Sequence, residues 1–102
     1  MAERLERIFQ SKLIKELKTE FSHAVVMPMG GNYIQGFPDV LILYGDKWAT
    51  LECKRSADAP KRPNQDTYND MFNNMSFSRF IYPENKEEVL DELREFFNDI
   101  PQ

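Results

Sequence analysis

The stretch Gly36 to Lys54, GFPDVLILYGDKWATLECK, constrains the fold more than any other part of this chain. Two apolar segments, Val40-Leu41-Ile42-Leu43-Tyr44 and Trp48-Ala49-Thr50-Leu51, lie on either side of Gly45-Asp46. That dipeptide is a two-residue hairpin signal, because glycine takes the positive φ that a tight, twisted turn demands. With Gly45 and Asp46 as the loop of an antiparallel hairpin, Tyr44 opposes Lys47, Leu43 opposes Trp48, Leu41 opposes Thr50 and Asp39 opposes Glu52. Residues directly opposite each other have Cβ atoms about 4.5–5.5 Å apart on one face, and like charges there destabilise the pair. Lys54, two residues beyond Glu52 on the same strand face, offsets part of the repulsion. Two converging carboxylates are also the hard-oxygen seat that Mg²⁺ or Mn²⁺ prefers. Both strands are apolar on both faces, which predicts a central sheet covered by helices on each side.

The remaining elements follow from periodicity. Leu5, Ile8, Phe9, Leu13, Leu17 and Phe21 recur at three- and four-residue spacing and predict a helix over residues 3 to 21. Glu6, Glu16 and Glu20 fall within or beside that stripe, so at least one carboxylate points inward. Lys12, Lys15 and Lys18 form a second row, read as a solvated face. Residues 23 to 29, HAVVMPM, predict a short strand closed by Gly30-Gly31-Asn32. His23 is the sole histidine, and at a helix-to-strand junction it gives triad chemistry little support. Pro38 sets the start of the next strand, since proline is awkward inside one.

After the hairpin, Arg55 to Asn64 is a basic, proline-broken loop. Pro63 suits the first turn of a helix whose buried stripe is Tyr68, Met71, Phe72 and Met75, with Gln65 on the same face at its start. Ser78 to Tyr82 is a short strand. Asn85 with Glu88 predicts a capping box for a last helix carrying Val89, Leu90, Leu93, Phe96, Phe97 and Ile100. The expected fold is mixed α/β in the order α-β-β-β-α-β-α, forming one domain over residues 1–102.

The net charge of -4 argues at first against a nucleic-acid partner. Glu84 to Asp99, however, holds seven acids and two bases, -5, so residues 1 to 83 are left at +1. The acidity belongs to the last helix, and the local field matters more than the total. The single Cys53 excludes an internal disulfide and a cysteine zinc cluster and fits a reducing, intracellular, cytoplasmic setting. Cys53 alternates to the face opposite Glu52 and Lys54 as a small core residue. No run is apolar enough to span a bilayer, which predicts no membrane partner.

Asp39 after Pro38, followed by Glu52-Cys53-Lys54 on the next strand, resembles the pattern of the PD-(D/E)XK, restriction-endonuclease-like nuclease superfamily. From about Glu6 to Tyr82 the chain is similar to the small stand-alone VRR-Nuc nucleases, many of them phage-encoded. The matching residues are Glu6 with Gln10, Gly36-Phe37-Pro38-Asp39, Glu52-Cys53-Lys54, Lys61-Arg62-Pro63 and Gln65. The resemblance implies a restriction-endonuclease-like core and a Mg²⁺ site, able to take Mn²⁺, formed by Asp39, Glu52, the Cys53 backbone carbonyl and Glu6. Glu16 and Glu20 fit the inward stripe equally well as the helix acid.

It further implies that Lys54 orients or deprotonates the attacking water and that Gln65 hydrogen-bonds within the site. Arg55, Lys61, Arg62, Gln65 and Gln10 would contact DNA. The implied activity is Mg²⁺-dependent endonucleolytic cleavage of DNA, selective for branched structures such as Holliday junctions, by a homodimer. Other readings of the same residues stay open: a free-standing homing or nicking endonuclease, a non-catalytic nucleic-acid-binding module, an interaction protein whose acidic last helix docks a basic partner, or a plain ion-pair cluster at a hairpin end.

Overall fold

A computed structural model describes residues 2–29 and 33–98. It is mixed α/β, with elements α1 (Ala2–Glu20), β1 (Val25–Pro28), β2 (Val40–Tyr44), β3 (Lys47–Cys53), α2 (Gln65–Met75), β4 (Phe77–Ile81) and α3 (Lys86–Phe97). This is the expected order. The predicted Gly30-Gly31-Asn32 turn and the Ile100 end of the last apolar stripe lie outside the described residues.

The four strands form one sheet in the order β1-β2-β3-β4, antiparallel except for the parallel β3–β4 pair, which α2 bridges. The hairpin has the register that its turn dictates: Tyr44 pairs with Lys47, Leu43 with Trp48, Leu41 with Thr50 and Val40 with Leu51. Gly45 takes φ +61° while Asp46 keeps a negative φ, as in a turn with glycine first. Asp39 lies one residue beyond the last pair, on the face that carries Glu52.

One face of the sheet packs on α1 and α3. Val26, Val40, Ile42, Ala49, Leu51, Cys53, Phe77 and Ile81 join Leu13, Leu17, Phe21, Val89, Leu90, Leu93 and Phe97 in a single buried cluster. The Tyr44 and Phe97 rings stack 4.9 Å apart, and Phe21 meets both edge-on. Glu16 and Glu20 on α1 pair with Lys86 and Arg94 on α3, so the two helices run in the same direction.

The opposite face carries α2 alone. Phe72 packs edge-on against Trp48. The Ser78 hydroxyl accepts from Thr50 at 2.7 Å and donates to Asn69 at 2.9 Å, which satisfies the two buried hydroxyls between β3, β4 and α2. The expectation of full cover on both faces is therefore corrected. A helix about 10 Å across covers roughly two strands at about 4.8 Å spacing. Two helices suffice for one face of four strands, but α2 shields only β3 and β4 on the other. Val25, Met27 and Leu43 are left exposed.

Four other expectations change. Leu5 is 54% and Ile8 42% exposed, because α1 is buried only from Phe9 onward, where the sheet begins beneath it. Met71 and Met75 are likewise exposed, and α2 packs through Tyr68 and Phe72 instead. Asn85 forms no capping box. Its side chain turns back to accept from the Tyr82 N–H and donate to the Phe80 carbonyl, tying the end of β4 to the start of α3. Pro63 precedes the α2 N-cap residue, Asn64, so it ends the loop without entering the helix.

Candidate active site

At the open end of the hairpin, where β2 begins and β3 ends, lies a cleft of about 580 Å³. Its walls come from three places: Glu3, Glu6, Arg7 and Gln10 on α1; Ile34 to Phe37 before β2; and Arg62, Pro63 and Gln65 at the α2 entry. Its floor is Asp39, Glu52 and Cys53. The volume is typical of sites that hold a ligand.

The hairpin register brings the two floor acids together, and each is anchored. Asp39 Oδ2 accepts the Cys53 backbone N–H at 2.9 Å. Glu52, only 4% exposed, accepts from Gln65 Nε2 at 2.8 Å through Oε2. Its Oε1 is buried without a hydrogen-bond partner. Burial first, then the charge and close approach of the Asp39 carboxylate, push the Glu52 carboxyl up to about 9, with Lys54 opposing and Glu6 adding to the rise. Burial, with the same acids, also drives the Cys53 thiol upward, so Cys53 stays a neutral core residue.

The elevated Glu52 carboxyl has a stability consequence with a definite sign. The folded chain retains a proton that the unfolded chain releases above the ordinary 4.5, so folding stability falls as pH rises from about 4.5 to about 9. Without added divalent cation, the thermal midpoint declines across that window, and Glu52→Gln flattens the decline. A wild-type profile that rises or stays level there refutes the assignment.

Gln65 joins the floor to the loop, since its Oε1 accepts the Arg62 N–H at 2.8 Å while its Nε2 holds Glu52. Of the three candidate acids on α1, Glu6 lines the cleft, whereas Glu16 and Glu20 face α3. Glu6 does not join the floor pair: its Oε2 lies 3.7 Å from an Arg62 nitrogen. Among the described residues, no group of three His, Cys, Asp or Glu side chains converges tightly enough to ring a cation. The residues present still fit a hard divalent ion, because two carboxylates meet and one buried oxygen lacks a donor.

Lys54 is buried just past the end of β3 and donates to the Pro60 carbonyl at 3.1 Å; it is not on the cleft wall. The other basic residues of the loop are distributed unevenly. Lys61 pairs with Asp66 at 3.0 Å and lies over the Phe80 ring, Arg55 is half-buried away from the cleft, and Arg62 stands at its mouth. Gln10 lines the wall as expected. Glu3 and Arg7 are wall residues that the sequence reading passed over. Their spacing with Glu6 and Gln10, i, i+3, i+4, i+7, marks one helix face and is the signal that identifies them.

Comparison with protein-family models, curated proteins and solved structures yields no match to this chain.

Proposed function

We propose that this chain is a metal-dependent endonuclease with a restriction-endonuclease-like core of the PD-(D/E)XK kind, and that it cuts branched DNA as a homodimer. The observation that carries this reading is the meeting of Asp39 and Glu52 on the floor of an open cleft, with a buried Glu52 oxygen that no donor satisfies. A structural ion-pair cluster would instead pair each acid with a base. Here Lys54, whose charge acts on Glu52, donates instead to the Pro60 carbonyl.

Asp39 and Glu52 would hold Mg²⁺, or Mn²⁺ in its place, with the Cys53 carbonyl and Glu6 as further oxygen donors. Such an ion supplies acidification of water near neutral pH and positive charge at the attacked phosphate. Gln65 fixes the orientation of Glu52. Lys54, close enough to act on the charge of Glu52, offsets the two carboxylates and steadies the loop through Pro60. Arg62 and Arg7 present guanidinium groups at the cleft to backbone phosphates, a contact that positions DNA without reading its bases.

Homodimerisation is supported by exposed apolar side chains in more than one place: Leu5 and Ile8 on α1, and Val25, Met27 and Leu43 on the uncovered half of the sheet. A two-fold pair would offer two clefts to two strands. No helix among the described residues is long and apolar enough to cross a membrane.

The test is cleavage of four-way junction, flap and linear duplex DNA by the purified chain with Mg²⁺ or Mn²⁺, alongside light scattering. Junction cleavage that Asp39→Ala eliminates, by a dimer, is the expected result. Preference for linear duplex would favour the homing or nicking duty, and a monomer at micromolar concentration, with and without DNA, counts against junction resolution. If the wild type cuts none of the substrates with either metal, the enzyme reading fails.

A further inference from the structure

Four carboxylates reach the cleft, Glu3, Glu6, Asp39 and Glu52, but only Asp39 and Glu52 meet. Arg62 lies against the other two. One of its guanidinium nitrogens lies 3.7 Å from Glu6 Oε2 and 3.9 Å from Glu3 Oε1, so it bridges two acids one turn apart on α1. The Glu6 side chain is 16% exposed and that of Arg62 59%, which puts the acid inside the cleft and the cation at its mouth. The backbone of Arg62 is tied to the floor, its N–H to Gln65 and Gln65 in turn to Glu52. One residue therefore touches both halves of the unassembled site, through its side chain on the wall and its main chain toward the floor.

We propose that Arg62 is a phosphate-sensitive latch. A DNA phosphodiester arriving at the cleft mouth draws the guanidinium off Glu3 and Glu6, and the released Glu6 carboxylate turns toward Asp39 and Glu52 to complete a three-carboxylate divalent-cation site. The inference rests on the nuclease reading of the same cleft and assigns its regulation: the site assembles when substrate is present.

The relative strengths suit such a device. Exposed ion pairs are weak, each worth a factor of about five at most. Guanidinium binds phosphate through paired, charge-assisted hydrogen bonds that are shorter and stronger than contacts at 3.7–3.9 Å. The exchange therefore favours phosphate. Glu6 lines the same cleft as Asp39 and Glu52, so its carboxylate turns within that cleft. Linkage makes the effect reciprocal: whatever factor phosphate contributes to cation affinity, the cation returns to DNA affinity. Arg62 is a positioning residue in this scheme, acting through Glu6.

The decisive measurement is Mn²⁺ affinity of the full chain by calorimetry, without DNA, for wild type, Arg62→Ala, Glu6→Gln and the double variant, with Asp39→Asn as the control for the floor. Release of the latch predicts that Arg62→Ala binds Mn²⁺ about fivefold more tightly than wild type, and that this gain vanishes in the Glu6→Gln background. A duplex with phosphorothioate linkages, which keep the charge and resist cleavage, then tightens Mn²⁺ binding to wild type and leaves Arg62→Ala unchanged. A gain that survives Glu6→Gln is the general field of a removed cation and overturns the latch while leaving the cation site standing. Mn²⁺ binding indifferent to Asp39→Asn removes the cation site itself, and the latch with it.

Discussion

On the proposed nuclease function, Glu52→Gln is expected to lower DNA cleavage on the order of 10³-fold or more and, at mildly alkaline pH, to melt above wild type. The loss of activity follows from the charge that Glu52 contributes on the cleft floor. A carboxylate that holds a divalent ion supports transition-state stabilisation worth several kcal/mol, and about 4 kcal/mol corresponds to about 10³ in rate. The gain in stability follows from the same burial. Above pH 4.5 the fold must retain a proton on Glu52 or ionise it next to Asp39, and glutamine does neither. Its amide oxygen keeps the hydrogen bond from Gln65, and its NH₂ can donate to Asp39, which satisfies the position that Glu52 leaves without a donor. An increase of about 1 kcal/mol or more raises the melting temperature of a chain this size by about 4–8 °C. The pairing of outcomes is the point, because an inactive protein that melts higher has not lost activity by unfolding. Cleavage within tenfold of wild type takes Glu52 out of the machinery, and a lower melting temperature removes the account of its burial. Asp39→Ala cannot make this separation cleanly, since it also deprives the Cys53 N–H of its acceptor.

The floor of this site was legible in the sequence because a two-residue turn leaves no freedom of register. Once Gly45-Asp46 is the loop, every cross-strand partner follows by counting. The wall was legible only in part. Periodicity showed that Glu6, Glu16 and Glu20 lie beside the buried stripe of α1, but the choice among them depends on Lys86 and Arg94, about 70 residues away in the chain. The reach of helical cover was not legible either. Alternation tells which residues share a face, not whether an element lies against it, and hence Leu43 reads as interior although α2 stops short of it. Asn85 shows a related limit. Its spacing to Glu88 fits a capping box, yet the amide finds the Tyr82 N–H and Phe80 carbonyl nearer once β4 is in place. Lys61 reads as a phosphate contact and Lys54 as a partner of the attacking water until the loop folds back and engages them with Asp66, Phe80 and Pro60.

Gly36→Ala lowers folding stability by about 2–4 kcal/mol and cleavage by about 10²-fold, for reasons that a second glycine separates. Gly36 has φ +86°, and a Cβ placed there would meet the Asn64 carbonyl carbon, Asn64 Cβ and the Pro63 oxygen, each at 2.7 Å. Two of these are backbone atoms, so no side-chain rotation relieves the contact. The left-handed conformation alone costs a residue with a side chain about 1–2 kcal/mol, and the steric conflict adds to it. The segment before β2 and the entry to α2 must then separate by about half an ångström or more, and they carry the two sides of the cleft: Gln65 and Arg62 on one, Asp39 on the other. A misplacement approaching 1 Å at a reacting centre costs about 10²-fold. Gly45 provides the control, because it shares the positive φ, +61°, with nothing within 4 Å of its Cβ position. Gly45→Ala therefore bears the conformational cost alone, about 1 kcal/mol in a urea titration, with cleavage unchanged at temperatures where both variants stay folded. Equal losses of stability in the two variants would show that the contact with Pro63 and Asn64 yields without cost. Unchanged cleavage in Gly36→Ala would show that the cleft does not depend on how the α2 entry is seated against the strand that bears Asp39.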